Sequence, residues 1–580
     1  MVLFDIKFSK EKNNLEIHNK KTKEVILSDA NFGIIYKKNG NIINTIDASF
    51  EKKFKIDNGK LKLRKINGDL ETNFHIILGT DESIELFLSV KNKTNKKITL
   101  INSVLLEGYL ALCKKFNNWK FFEHGWNTVS QSKYKKISDK SKKSIVLSRN
   151  YNINSFNKDY GSLGNEIVSE MFSLAVDKTN DLCLLMGATT TKKQYSQVYW
   201  YLDDFPKFRL TSQMDEVTLE KNEEISTEIF LICFGEKSEV LKLYSKKVAE
   251  KMNPPIPEKN YSGWCSWYYY SNDISEKIIL RELKVVSKIK QKIPFKYFLV
   301  DDGYCITGDW LEYHKVFPNG MKFLADEIKK QKLSPGIWLT PYLIDRKSKV
   351  YKKHQDWILL NKKGNPVFCT KITFNPLIGF EKWNKYTLDP THPEVKKWIT
   401  HVIDTVVNEW GYELLKLDFL HSLSMSDSYY QKNITRAQAL RIGIETIRKT
   451  AGNKVHITGA ITPLSPTIGI FNSMRISGDI ISPPLAHLPI INRIINKFTF
   501  QNNFRNITYR KFMHKNFWLN DPDCLVVRSR LKLDKNIFNK YYNMIKNSDY
   551  QIFLGDSIIR LNKEIDTLIS PIFNNKQKKL

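Results

Sequence analysis

Tyr297-Phe298-Leu299-Val300-Asp301-Asp302-Gly303 is the stretch that decides how the second half of the chain folds. An apolar run of strand length breaks off at two carboxylates and a glycine, as a buried parallel strand does when its C-terminal end opens into a polar mouth. Seven further runs of the same texture begin near Tyr261 (YSGWCSW), Pro335 (PGIWLTP), Tyr412 (YELLKLDF), Lys454 (KVHITGA), Met474 (MRISGD), Phe517 (FWLNDPDCLV) and Asp549 (DYQIFLG). Helical patterns fill most of the gaps, at 275–292, 321–331, 393–410 and 435–450. Eight strands alternating with helices predict a closed (β/α)8 barrel over residues 258–570.

The preceding residues have another period. Runs such as Thr99-Leu100-Ile101-Asn102-Ser103-Val104-Leu105 and Glu228-Ile229-Phe230-Leu231-Ile232-Cys233 carry the two-residue alternation of half-buried antiparallel strands. Asn39-Gly40, Asn58-Gly59 and Asn67-Gly68 supply hairpin turns between several of them. An N-terminal antiparallel β-sandwich is therefore expected over 1–236. A linker helix is expected within 237–257, where Val240, Leu241, Tyr244 and Val248 follow helical spacing until Asn253-Pro254-Pro255-Ile256-Pro257 stops it. Residues 571–580 read as a basic tail.

Composition narrows the class. A chain of 580 residues, 42% hydrophobic and 12% aromatic, holds enough apolar material for two packed domains. Its net charge of +30 is mostly lysine scattered singly and in pairs, as at Lys114-Lys115, Lys142-Lys143 and Lys352-Lys353. No helix-turn-helix, zinc-finger or RNA-recognition signature accompanies it, so a solvated surface is expected rather than a nucleic-acid partner. No window reaches the roughly 18 uninterrupted apolar residues of a membrane span, so no membrane partner is expected. Seven widely spaced cysteines and an N-terminus without an apolar leader predict thiols in a reducing, cytoplasmic setting. The absence of compact His/Cys spacing or a phosphate-binding glycine loop predicts neither metal nor cofactor, and His487 and His514 read as structural.

In a barrel, polar residues at strand C-termini face the mouth where such enzymes work. Here the strand ends carry Asp301-Asp302, Lys416 with Asp418, Arg475 with Asp479, and Asp521 with Asp523. Lys416 and Asp418, two apart on one strand, project to one face, so the ammonium is expected to favour an ionised Asp418. An ionised carboxylate suits attack on a sugar carbon, and a second carboxyl that keeps its proton suits the acid role, for which Asp479 is placed beside the backbone freedom of Gly478. Trp264, Trp267 and Trp338 offer rings for stacking on a sugar, although a tryptophan on a barrel strand is more often core than ligand platform.

Together GWCSW (263–267), LVDDGY (299–304), PGIW (335–338), LKLDF (415–419), MRISGD (474–479) and WLNDPDCLVVR (518–528) resemble glycoside hydrolase family 36 of the α-galactosidase clan. The resemblance implies a retaining α-galactosidase acting on an α-galactoside or related oligosaccharide, with Asp418 as nucleophile and Asp479 as acid/base. It implies that Asp301 and Asp302 grip the C4 and C6 hydroxyls, that Lys416 works near O3 and O4, that Arg475 holds substrate, that Trp267 and Trp338 wall the subsite, and that Asp523 lies near the rim. It also implies an N-terminal β-sandwich, in agreement with the alternation above. The chain departs from the family pattern at its C-terminus, where a β domain is expected to be short or absent, so that either the domain is dispensable or another copy of the chain covers the barrel. It departs again at Thr458-Gly459-Ala460-Ile461, where relatives read the C2 substituent, which leaves an α-N-acetylgalactosaminidase open. A raffinose-synthase-like transglycosylase shares the same catalytic residues, and a non-catalytic carbohydrate or polyanion binder is the remaining alternative.

Overall fold

A computed structural model describes the chain except for residues 1–3, 10–13, 50–54, 58, 113–117, 137–164, 204, 376–378, 481–488, 528–534, 562 and 579–580. Cys113, Asn58, His487 and the pairs Lys114-Lys115 and Lys142-Lys143 lie outside the described residues.

The alternating N-terminal half forms two antiparallel sheets, one of eight strands and one of ten among the described residues. The strand at Lys60–Ile66 shows why: Leu61, Leu63 and Lys65 are buried while Lys60, Lys62 and Ile66 face outward. Hairpins turn at Asn39-Gly40, both with positive φ, and at Asn67-Gly68. The last strand, Phe230–Glu236, feeds helix α1 (Lys237–Met252), which ends in a left-handed Asn253 before the proline run. Its buried face, Val240, Tyr244 and Val248, packs on the sandwich, where the Tyr244 hydroxyl donates to the Ala188 carbonyl at 2.8 Å.

All eight expected barrel strands are present and parallel: β1 (Ser262–Cys265), β2 (Tyr297–Val300), β3 (Ser334–Leu339), β4 (Leu414–Leu417), β5 (His456–Gly459), β6 (Ser473–Arg475), β7 (Leu519–Asp521) and β8 (Ile552–Leu554). β8 pairs with β1, and the seam between β7 and β8 is closed by the Gln551 N–H on the Asn520 carbonyl at 3.1 Å and by a parallel bridge from Leu525 to Leu554. The longer helices among the described residues are α2 (Glu276–Ile289), α3 (Gly320–Lys330), α4 (Pro393–Asp404), α5 (Arg436–Ala451), α6 (Pro489–Tyr509), α7 (Lys535–Asn547) and α8 (Ser570–Lys578). α5 opens on a reciprocal capping box between Thr435 and Gln438. Between β3 and α4 a hairpin intervenes, Phe368–Asn375 paired with Gly379–Thr387.

One barrel unit has no helix. Between β5 and β6 the chain makes only the short turn Ser465–Thr467, and the sandwich and linker cover that face instead. Glu170 and Thr191 of the sandwich bind the Ser465 hydroxyl and carbonyl at 3.0 and 2.6 Å, and Gly469 lies against the end of α1. The sandwich thus replaces a structural layer of the barrel. Among the described residues no helix is long and apolar enough to cross a membrane.

The expected basic tail is instead helix α8. Ile572 and Phe573 are buried, and the Phe573 ring meets Phe295 edge-on at 5.2 Å, so the apolar residues among the lysines seat the segment. Phe573→Ala is expected to destabilise the protein by about 3–5 kcal/mol, measured by denaturant unfolding; an unchanged midpoint would return the segment to a solvated tail.

Candidate active site

The residues singled out at the strand ends meet in one place. At the end of β4 the Asp418 carboxylate accepts the Phe419 N–H at 2.8 Å and the Trp338 indole N–H at 3.2 Å, while its own N–H donates to the Leu339 carbonyl of β3. Lys416, beside Trp338 in register, also points inward. Its ammonium pairs directly with Asp301 at 2.8 Å rather than with Asp418, so the expected Lys416–Asp418 pair is a longer-range interaction. Asp301 is only 2% exposed; its N–H donates to the Ser266 hydroxyl, the oxygen that meets Lys416 also accepts the Cys265 thiol at 3.3 Å, and its second oxygen accepts the Asp302 N–H at 3.0 Å. Asp302 stands half-buried beside it.

The opposite side is built on Arg475, at the end of β6. Its guanidinium reaches Asp523 at 3.0 Å and Asp479 at 3.3 Å. Asp479 keeps 28% of its side chain exposed, whereas Asp523 is 2% exposed and lies below the mouth, not at the rim. Asp523 accepts the Tyr268 hydroxyl and the Ile480 N–H, the latter at 2.7 Å. Gly478 does not occupy the left-handed region, so backbone freedom is not what it supplies. A Cβ there would lie 3.2 Å from the Asn503 side chain and 3.3 Å from Val129, and close approach is the requirement.

Of the tryptophans, Trp338 is buried at the site and meets Trp310 edge-on. Trp267 is half-buried in the helical turn after β1. Trp264 points away, stacked on Phe298 and bonded to the Asp556 carbonyl at 2.8 Å, and belongs to the core. Thr458 is engaged by Ser473 at 2.5 Å within the barrel. His514 accepts the Asn520 N–H at 3.0 Å, a structural contact.

Burial dominates the electrostatics. It raises the Asp418 carboxyl above its ordinary range, against the Lys416 charge and the Trp338 hydrogen bond, and the Asp479 charge adds to the rise. Lys416 does favour the ionised form of Asp418 as expected, but burial outweighs it. Burial and the Asp301 charge push Asp302 up to about 6, and burial pushes Asp523 up to about 6 in spite of Arg475. Burial opposes the Lys416 and Arg475 cations, but Asp301 and Asp523 outweigh it and hold both well above their usual values. Phe419 (φ 56°), Ile461 (φ 37°) and Asp523 (φ 85°) place left-handed, non-glycine backbone at three strand ends, about 1–3 kcal/mol of strain each, gathered where geometry serves the site. Below these groups lies a small cavity of about 20 Å³, lined by Cys265, Lys416, Thr458, Arg475, Asp523 and Cys524.

Three contributors escaped the sequence reading. Tyr268 adjoins the GWCSW motif and could have been found there. Lys385, on the inserted hairpin, pairs with Asp345 and lowers the Asp302 proton affinity from a distance in sequence that no local signal spans. Asn503 lies on α6, whose pattern marks only a helix.

Comparison with known proteins bears on the fold and the family resemblance. Residues 266–453 match the melibiase family model. An α-galactosidase, Mel36A, from Lactobacillus acidophilus is 25% identical over 221 residues, 36% of this chain and 28% of its own length. The α-galactosidase AgaA of Geobacillus stearothermophilus is 26% identical over 165 residues, 27% of this chain and 20% of its own. The chain thus spans between a fifth and just over a quarter of the length of these curated relatives. The solved α-galactosidase TtGalA from Thermus thermophilus in complex with stachyose superposes with a TM-score of 0.64 at 20% identity, covering 88% of this chain and 99% of that one. The family 36 structure of AgaA superposes with a TM-score of 0.62 at 13% identity, covering 94% of this chain and 75% of that one. The family 36 resemblance read from the six motifs is borne out, and so is the sandwich-plus-barrel fold.

The raised Asp302 carboxyl has a consequence for stability. Its native form holds a proton that the unfolded chain has already released between about pH 4 and about pH 6, so this group destabilises the fold increasingly as pH rises through that window. Asp302→Asn is expected to gain stability over the natural protein from pH 4 to 6, reaching about 2–3 kcal/mol, and to hold that gain above pH 6. Thermal unfolding across pH checks it; a gain that shrinks as pH rises would contradict it.

Proposed function

We propose that the chain is a retaining α-galactosidase that releases terminal α-galactosyl units from oligosaccharides. What supports this reading best is that Asp418 follows β4 and Asp479 follows β6 of one barrel, with Arg475 bonded to Asp479 and the charge of Asp479 raising the proton affinity of Asp418. That coupling is what a nucleophile and an acid/base need, because the same two groups must hold opposite protonation states when substrate arrives.

In this mechanism Asp418 attacks the anomeric carbon as the glycosidic bond to the leaving oxygen breaks, and Asp479 delivers its proton to that oxygen. A β-linked glycosyl-enzyme results. Asp479 then takes a proton from water, the water oxygen attacks the anomeric carbon, and Asp418 leaves, so two inversions give net retention. The Phe419 N–H and the Trp338 indole N–H fix Asp418 and support its negative charge. Arg475 orients Asp479. Lys416, Asp301 and Asp302 present donors and acceptors to sugar hydroxyls, and an axial hydroxyl held between two carboxylates would be preferred because the equatorial epimer leaves buried acceptors unpaired. Stachyose is bound in one solved structure of this fold, which supports an oligosaccharide substrate. The six described cysteines are buried thiols joined by no disulfide, in keeping with a reducing, cytoplasmic compartment.

The test is hydrolysis of para-nitrophenyl α-galactoside, α-N-acetylgalactosaminide and α-glucoside. The α-galactoside is expected to be turned over fastest, Asp418→Ala to abolish turnover, and Asp479→Ala to cost about 10²–10⁴-fold on leaving groups that need protonation. Equal activity in Asp418→Ala and the natural protein would end the reading.

A further inference from the structure

We infer that Asn503 is the positioning residue of Asp479, a role that rests on the reading of Asp479 as the acid/base. The loop after β6 is pinned at three successive backbone groups around that aspartate. The Gly478 N–H donates to the Asn503 Oδ1 at 3.0 Å, and the Asn503 Nδ2 donates to the Asp479 carbonyl at 2.9 Å. The next N–H, of Ile480, donates to Asp523 at 2.7 Å. One backbone donor and one backbone acceptor, side by side, call for a side chain offering both functions, which a primary amide does and a carboxylate or an alkyl group does not. The demand also fixes which end of the amide is oxygen. Asn503 is itself 2% exposed, so nothing in solvent substitutes for it.

The amide is held still by its helix. Asn502 donates to the Val129 carbonyl at 3.2 Å, and Asn506 accepts the Ser132 N–H at 2.8 Å, both on a loop of the N-terminal sandwich. Beyond the end of α6 the buried Arg510 guanidinium binds the carbonyls of Gly125, Asn127, Thr128 and Ser130 on that loop, and Ile476 at 2.8 Å just ahead of Asp479. The aspartate is thereby referenced to the sandwich through Asn503, and Gly478 is the residue that admits the amide so closely. Misplacing a reacting group by about 1 Å can cost a hundredfold in rate, enough for a backbone clamp to decide the acid's efficiency.

The experiment compares Asn503→Asp, which keeps an acceptor for Gly478 and loses the donor to Asp479, with Asn503→Leu, which loses both. For methyl α-galactoside, whose leaving group must be protonated, kcat/KM is expected to fall about tenfold in Asn503→Asp and about a hundredfold in Asn503→Leu. For α-galactosyl fluoride, which departs without a proton, kcat/KM is expected to stay within about twofold, and azide is expected to restore turnover of the variants. An equal fall on both substrates, or no fall on either, would overturn the positioning role. Amide hydrogen exchange supplies an arm independent of turnover: the Gly478 N–H is expected to lose protection in Asn503→Leu and keep it in Asn503→Asp, and unchanged protection in both would also overturn it. A natural protein that cleaves neither galactoside would instead count against the α-galactosidase reading, while the exchange arm still decides the clamp.

Discussion

Removing a carboxylate from water costs several kcal/mol unless a cation or a set of N–H groups replaces the solvent. The barrel mouth removes several at once, and the site depends on how the compensation is divided. Lys416 takes Asp301 as its direct partner and acts on Asp418 only through space. Arg475 takes Asp523 as its closer partner and reaches Asp479 at 3.3 Å. Each cation thus has one buried carboxylate to neutralise and one reactive carboxylate to influence. Asp418 and Asp479 are left partly compensated, and partly compensated carboxylates are those whose protonation a substrate can shift.

Much of this was legible in the sequence because a barrel strand is a local object. Apolar runs such as YFLV and LLKL bury both faces wherever they stand, and their carboxylate ends mark the mouth, so strands and site candidates emerge together. Pairing is not local. Lys416 and Asp418 share a face as the two-residue period requires, but the period says nothing of Asp301 on a neighbouring strand, which is nearer to the ammonium. The missing helix between β5 and β6 and the seated helix α8 were hidden for a related reason. The layer covering Ser465 comes from Glu170 and Thr191, hundreds of residues earlier, and the burial of Phe573 depends on Phe295.

The two domains are consequently parts of one site. The sandwich fills a position that a barrel helix would occupy, and its loop from Gly125 to Ser130 is bound by Arg510 beside the strand that bears Arg475. Five carbonyls surround that buried guanidinium, and burial lowers its proton affinity to about 9. An arginine held by neutral dipoles tolerates little displacement, because each carbonyl that withdraws leaves a donor unpaired in a dry interface.

The central claim is that Asp418 becomes covalently bonded to the sugar. Incubation with an activated fluorogalactosyl fluoride, followed by intact-mass measurement and peptide mapping, tests it directly. The account predicts one sugar per chain, attached to Asp418 and absent from Asp418→Ala. A label on Asp479 or Asp301, or steady turnover of the natural protein with no trapped sugar and undiminished activity in Asp418→Ala, would contradict it.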